Sequence, residues 1–306
     1  MSGHITEKDI IVDFMKSCTV EVTPGGADKI DSFPTLLRED TTVYVTFLPG
    51  SDFADTVRIV KRLRAEGMNP VPHFAARSIP NKVFLQENLK MLQGEVGVEE
   101  ALLIGGAVDK PVGDFASSMD VMQTGLFEEF GIKRLGLAGH PEGTPDFPAS
   151  EVSKAIRDKN AYAKQTDMSL YIATQFCFEA QPIIDWDKRI REEDGNELPI
   201  HIGIPGLATI KTLIRHAQAC GVGNSIRVLT KQAANITKLL SVRMPDKLVR
   251  DLAVHLAKNP DCGIKQTHLY PLGGLRKSAS WMYAVQDGNF ELDEKKGGFK
   301  ITVDLD

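Results

Sequence analysis

Short apolar runs alternate with amphipathic stretches along most of this chain. The runs are Cys18–Thr23, Thr42–Phe47, Pro70–Ala75, Ala101–Gly105, Arg134–Ala138, Leu170–Phe178, Pro199–Ile204 and Thr267–Tyr270. Their length and their β-branched and aromatic content predict strands. Between them, Ala54–Glu66 carries Val57, Ile59, Val60 and Leu63 at helical spacing. Lys82–Gly97, Ser118–Phe130, Glu151–Gln165 and Thr209–Cys220 follow the same pattern. Gly67, Gly131 and Gly221 stand where a helix end favours a left-handed residue. Ser225–Leu240 and Pro245–Lys258 predict two helices with no strand between them, an insertion before the last strand, and Asn259-Pro260-Asp261 is a turn that stops the second.

Eight strands alternating with helices predict a (β/α)8 TIM barrel over residues 1–286, with extra helices before the last strand. A C-terminal extension, residues 287–306, alternates weakly (Phe299, Ile301, Val303) and is expected to form a hairpin or a docking strand. A doubly wound sheet would place a GxGxxG loop after its first strand, and Glu21-Val22-Thr23-Pro24-Gly25-Gly26 lacks that spacing.

The 306 residues carry a formal charge of −5 and no basic run, which argues against nucleic acid or a membrane surface as partner. Cys18, Cys177, Cys220 and Cys262 lie far apart with no CxxC pair, so neither a zinc knuckle nor a disulfide framework is expected. No HExxH or other tight metal spacing occurs, and no metal is expected. The start of the chain has acids and no long apolar core, so no signal peptide is expected, and a reduced, cytoplasmic protein follows.

In a barrel the chemistry sits at the strand C-termini. The first strand puts Glu21 on the face opposite Val20 and Val22, as a rim ion-pair partner or as a general acid whose pKa a dry pocket would raise. The second ends at Thr46, and the third delivers His73 with Arg77, a pair suited to a phosphate or a ring edge. Gly105 and Gly106 end the fourth strand and let backbone approach a ligand. Asp114-Phe115-Ala116-Ser117-Ser118 then predicts a helix N-cap whose free N–H groups could hold an anion. The fifth leads into His140-Pro141-Glu142-Gly143, and its helix carries Lys164, a surface lysine or an anion partner. The sixth ends on Thr174 and Gln175, an uncharged amide that donates and accepts at once and so suits a flat heterocycle. No Ser-His-Asp or Cys-His order appears, which fits a cofactor enzyme better than a hydrolase.

In this order of residues the chain resembles the methylenetetrahydrofolate reductase family. The match runs from Glu21 with its Thr-Pro bend through Val45-Thr46, Pro72-His73, Gly105-Gly106, Phe115-Ala116-Ser117, the His-Pro-Glu-Gly loop and Lys164 to Thr174-Gln175-Phe176. The resemblance implies that Glu21 is the general acid that helps open the methylene bridge of the folate. It implies that Gln175, in Thr174-Gln175-Phe176, binds the folate, and that Thr46, His73, Phe115, Ala116, Ser117, His140 and Lys164 hold FAD. It implies NADH or NADPH as co-substrate and a homo-oligomer. The chain departs from the family in three places. Gly105-Gly106-Ala107 stands where an Arg-Gly-Asp is usual, with Asp109 shifted two places and Arg77 able to replace the lost charge. Ile210 stands where an aromatic stacks on nicotinamide. Pro-Leu-Gly-Gly follows the last strand in place of the usual polar set. The expected activity is interconversion of 5,10-methylenetetrahydrofolate and 5-methyltetrahydrofolate, and the lost aspartate raises the oxidising, catabolic direction as a hypothesis. A pterin-binding methyltransferase, a flavin-free reductase and a non-enzymatic folate or flavin binder are the alternatives.

Overall fold

In a computed structural model that describes residues 5–145, 147–222, 226–227, 229–230 and 239–305, each expected strand is present. They are β1 (Thr19–Val22), β2 (Thr42–Val45), β3 (Asn69–Ala75), β4 (Glu100–Ile104), β5 (Arg134–Gly139), β6 (Ser169–Phe176), β7 (Ile200–Pro205) and, after the two-residue strands β8 (Ala208–Thr209) and β9 (Val242–Arg243), β10 (Ile264–Tyr270). All eight long strands are parallel and close in the order β1-β10-β7-β6-β5-β4-β3-β2. This is a (β/α)8 barrel. The last strand starts at Ile264, earlier than expected. A register irregularity between Ile264 and Gln266 and the exposed Lys265 interrupt the alternation there.

Alternation sorts the side chains into two layers. Val20, Val22, Val43, Val45, Leu135 and Leu137 face outward into the core shared with the helices. Tyr44, Val71, Leu102, Tyr171 and Ala173 face inward. Thr19, His73, His201 and His268 are also buried, so the lumen is unusually polar for a barrel.

The outer helices include Phe53–Ala65, capped by Asp52 on the Ala54 N–H at 3.0 Å, and Lys82–Val96, capped by Asn81 on the Phe84 N–H at 2.9 Å. The expected helix Ser118–Phe130 divides into Ser118–Met122 and Leu126–Glu129, because Gly125 takes φ 70° between them. Ala180–Asp194, Leu275–Gln286 and Glu7–Met15 are further helices that the apolar pattern did not single out. In Ala180–Asp194 the buried stripe of Ile183, Trp186 and Ile190 is thin among many charges.

The helix Asp246–Lys258 is not inserted material. It packs in the outer ring against Glu7–Met15 and Ala180–Asp194, and Arg250 on it pairs with both Glu7 and Glu294. The added segment lies earlier, between β7 and that helix. It pairs β8 antiparallel to β9 and carries the helix Ile210–Ala219. The expected helix Ser225–Leu240 lies largely outside the described residues. Leu213, Ala217, Val222 and Leu229 of the added segment form an apolar cluster with Phe176 and Phe178, which seats it over the end of β6. The C-terminal extension forms the hairpin β11 (Phe290–Asp293) and β12 (Gly298–Ile301), with Phe299 stacked on Trp281 at 6.3 Å.

Candidate functional site at the barrel mouth

Closure of the barrel puts β1 beside β10, with Thr19 level with His268. Thr19 and Glu21 share the inward face, as do His268 and Tyr270. The Thr19 hydroxyl and His268 Nδ1 lie 2.7 Å apart, and His268 Nε2 lies 3.5 Å from Glu21 Oε2. A carboxylate can only accept, so a neutral His268 carries its proton on Nε2 and accepts from Thr19 at Nδ1. The Glu21 carboxylate is oriented by a histidine that the sequence reading did not place in the site. Period-two alternation in the last strand, with the adjacency of first and last strands in any closed barrel, is the signal that would have found it.

Across the mouth, β6 bulges. Ala173 is level with His201 and Phe176 with Gly203, so β6 has one residue more than β7 over this interval. The bulge holds Thr174 and Gln175. The Tyr270 hydroxyl donates to the Thr174 carbonyl at 2.8 Å, and the Gly203 N–H donates to Thr174 Oγ1 at 2.9 Å. The Gln175 amide oxygen accepts from the Phe176 N–H at 3.1 Å. Cys220 stands just past the helix Ile210–Ala219. Burial pushes the Cys220 thiol up, the negative charge of Glu21 adds to this, and the Gln175 amide opposes it. His216 on the same helix is held down by burial and by Arg215, and Glu21 pulls it back up. Across the mouth, Glu21 of β1 is joined to the β6 bulge through His268 and Tyr270, whose rings meet at 4.9 Å, and the Tyr270 hydroxyl reaches the Thr174 carbonyl. A second cover is the loop after β5, where the Gly143 N–H closes a turn on the His140 carbonyl at 3.0 Å. Its Pro145 lies so close to Gly221 that a Cβ on that glycine would stand 2.5 Å from the ring.

Between these two walls, the ends of β2 and β3 and the turns after them present buried polar atoms with no partner among the described residues, Thr46 Oγ1, His73 Nε2 and Arg77 Nε, while Arg77 Nη2 donates to the Asp109 carbonyl at 2.6 Å. Burial lowers the His73 pKa to about 4, with His268 adding to this and Glu21 opposing it. Buried polar atoms of a native site are satisfied by protein, water or ligand. Beside them a Cβ at Gly105 would meet open space, whereas one at Gly106, at φ 93°, would stand 3.3 Å from Ala75 Cβ. Thr46, His73, Arg77 and the Gly105 backbone thus fit the edge of a flat polar ligand.

Other expected site residues stand elsewhere or are occupied. The Ala116 and Ser117 N–H groups both donate to Asp120 Oδ2, at 2.8 and 2.9 Å, in a capping box. The carboxylate fills the place that an anion would take. Phe115 is buried in the main core. Lys164 ends the helix Ala149–Ala163, which runs back along the barrel. It lies at the opposite end from Gln175, about 20 Å away at the rise of a strand, exposed and 3.5 Å from Glu197. On the same helix Lys159 is buried with Nζ on the Ala138 carbonyl of β5 at 2.7 Å, and burial lowers its pKa to about 8. Phe176 packs against Phe178 and Tyr270 at 5.7 and 5.3 Å, inside the cover. Ile210 is buried at the first turn of its helix. The residues present therefore fit a heterocycle edge but not the diphosphate of FAD as expected.

No family model matches the chain. Among solved structures, an uncharacterized protein from Clostridium thermocellum that binds two copies of 5-methyl-5,6,7,8-tetrahydrofolic acid is similar with a TM-score of 0.49 and 11% identity, over 92% of this chain and 98% of that one. Hydroxymethylglutaryl-CoA lyase from Pseudomonas aeruginosa is similar with a TM-score of 0.37 and 12% identity, over 77% of each chain. At such distances neither decides what this chain binds. Among the described residues no helix is long and apolar enough to cross a membrane.

Proposed function

We propose that this barrel is an oxidoreductase of one-carbon folates, interconverting 5,10-methylenetetrahydrofolate and 5-methyltetrahydrofolate with NAD(P)H. The observation that supports it is the run of contacts from Glu21 to His268, from His268 to Tyr270 and from Tyr270 to the Thr174 carbonyl, which joins the acid of β1 to the bulge that carries Gln175. A pterin presents donors and acceptors along one edge, which an amide can match. Opening the methylene bridge needs a proton at the bridging nitrogen. Glu21 in its protonated form supplies it and is left as the carboxylate, the bridging C–N bond breaks with its electron pair on that nitrogen, and the remaining iminium carbon accepts a hydride that originates on NAD(P)H. In the reverse direction Glu21 recovers the proton as the bridge closes. His268 holds the carboxylate in place, and the cover limits water at the reacting carbon.

A second reading keeps this substrate but dispenses with flavin, the hydride passing directly between nicotinamide and the one-carbon unit. It is favoured by the capping of Ala116 and Ser117 and by the remote position of Lys164, which leave the expected diphosphate contacts unmade. The visible absorption spectrum of the purified protein separates the two: flavin bands support the first, and a colourless active enzyme the second. Glu21→Gln tests the shared claim. Turnover in both directions should fall roughly 10²–10⁴-fold with folate still bound, and wild-type turnover in the variant would refute it.

A further inference from the structure

Below the mouth, the lumen holds a run of polar contacts that the site above does not use. The Tyr171 hydroxyl of β6 donates to Glu100 Oε1 of β4 at 2.8 Å, and the Tyr44 hydroxyl of β2 lies 2.5 Å from that of Tyr171. A phenol has one proton to give. Tyr171 gives its own to the carboxylate, so Tyr44 is the donor to Tyr171. The run has one direction, from Tyr44 to Tyr171 to Glu100, and ends on a charge at the barrel floor, where Arg134 lies 3.5 Å from Glu100. Tyr171 is clamped between the His201 ring, stacked at 4.1 Å, and the Arg134 guanidinium at 5.7 Å. At the upper end the Tyr44 ring meets the His268 ring at 4.5 Å and the edge of His73 at 5.8 Å. Tyr44 and Tyr171 are both almost fully buried.

We propose that Tyr44, Tyr171 and Glu100 are positioning residues for His268: the floor of the barrel fixes, through one directed hydrogen-bond run, the ring that orients Glu21. This deepens the proposed function and rests on its assignment of Glu21. The physical reason is local. Thr19 holds only one nitrogen of His268, and the face of the ring rests on Tyr44. The hydrogen bond to Tyr171 fixes the angle of the Tyr44 ring, and removal of either hydroxyl abolishes it. Tyr44 would then turn, and His268 would lose its support. The groups facing His268 are Thr19 and Glu21 of β1, Tyr44 of β2, His73 of β3, His201 of β7 and Tyr270 on its own strand.

Imidazole-nitrogen NMR of the full-length, ligand-free protein tests this. Wild type should show His268 as a single tautomer with the proton on Nε2. Tyr171→Phe, Tyr44→Phe and the double variant should share one altered tautomer mixture, because cutting a single run at either place has the same consequence. Glu100→Gln retains an acceptor and should keep the wild-type signal. An unchanged His268 signal in the two phenylalanine variants overturns the proposal, as do additive effects in the double variant. Should Tyr171→Phe fail to fold, Tyr44→Phe alone gives the same reading. In turnover, Tyr171→Phe should lower kcat about ten-fold with folate affinity unchanged. Absence of any folate turnover in wild type would refute the functional reading and leave the NMR result to stand or fall separately.

Discussion

Gly203 of β7 donates its N–H to Thr174 Oγ1 at 2.9 Å, and a Cβ on it would stand 2.6 Å from the Thr174 carbonyl oxygen. The bulge that aims Gln175 therefore depends on a missing side chain in the neighbouring strand. Gly203→Ala should destabilise the protein by about 1–3 kcal/mol in urea unfolding, as overpacking of a tight interior does. It should also weaken folate binding, whereas Gly105→Ala, whose Cβ would meet open space, should cost far less stability.

The buried histidines set an acid limit. The pKa of His73 is lowered to about 4 and that of His201 to about 3, both first by burial, from an ordinary value of 6.5. The unfolded chain binds protons at these residues that the folded chain refuses. Stability should therefore be full above about pH 6.5 and fall as the pH drops towards 4 for His73 and 3 for His201. The His73 share is on the order of 3 kcal/mol. Denaturation midpoints of wild type and His73→Asn across this range check it: the variant should show a shallower acid slope, and identical slopes would contradict the assignment.

Ser117 acts as a helix cap. Ser117→Ala should lower stability by about 1 kcal/mol in denaturant unfolding, with folate affinity unchanged. A large loss of flavin or folate binding in this variant would restore Ser117 to the ligand site.

The barrel was legible in the sequence because each strand is a short apolar run followed by a punctuated helix, and because inner and outer faces alternate in the strands without a bulge, as Val20, Glu21 and Val22 show. Glu21 and Gln175 were legible as polar residues ending such runs. His268 was not placed in the site, because its pairing with Glu21 is a product of closure, which joins residues 247 apart. Ser117 and Lys164 matched the residue types of an anion site. Whether a backbone N–H is free depends on a carboxylate three residues on, and whether a lysine faces the mouth depends on which end of its helix it occupies. Ser118–Phe130 looked continuous because a single glycine, Gly125, is tolerated by a helical pattern yet here takes the left-handed conformation.

The central claim is that Glu21 and Gln175 serve one bound pterin. Calorimetric titration of the wild-type protein and of Gln175→Leu with 5-methyltetrahydrofolate tests it most directly. Saturable one-site binding to wild type, weakened about ten-fold or more in the variant as loss of a buried hydrogen-bonding partner requires, is the expected result. No binding to wild type, or equal affinity in the two proteins, would contradict it.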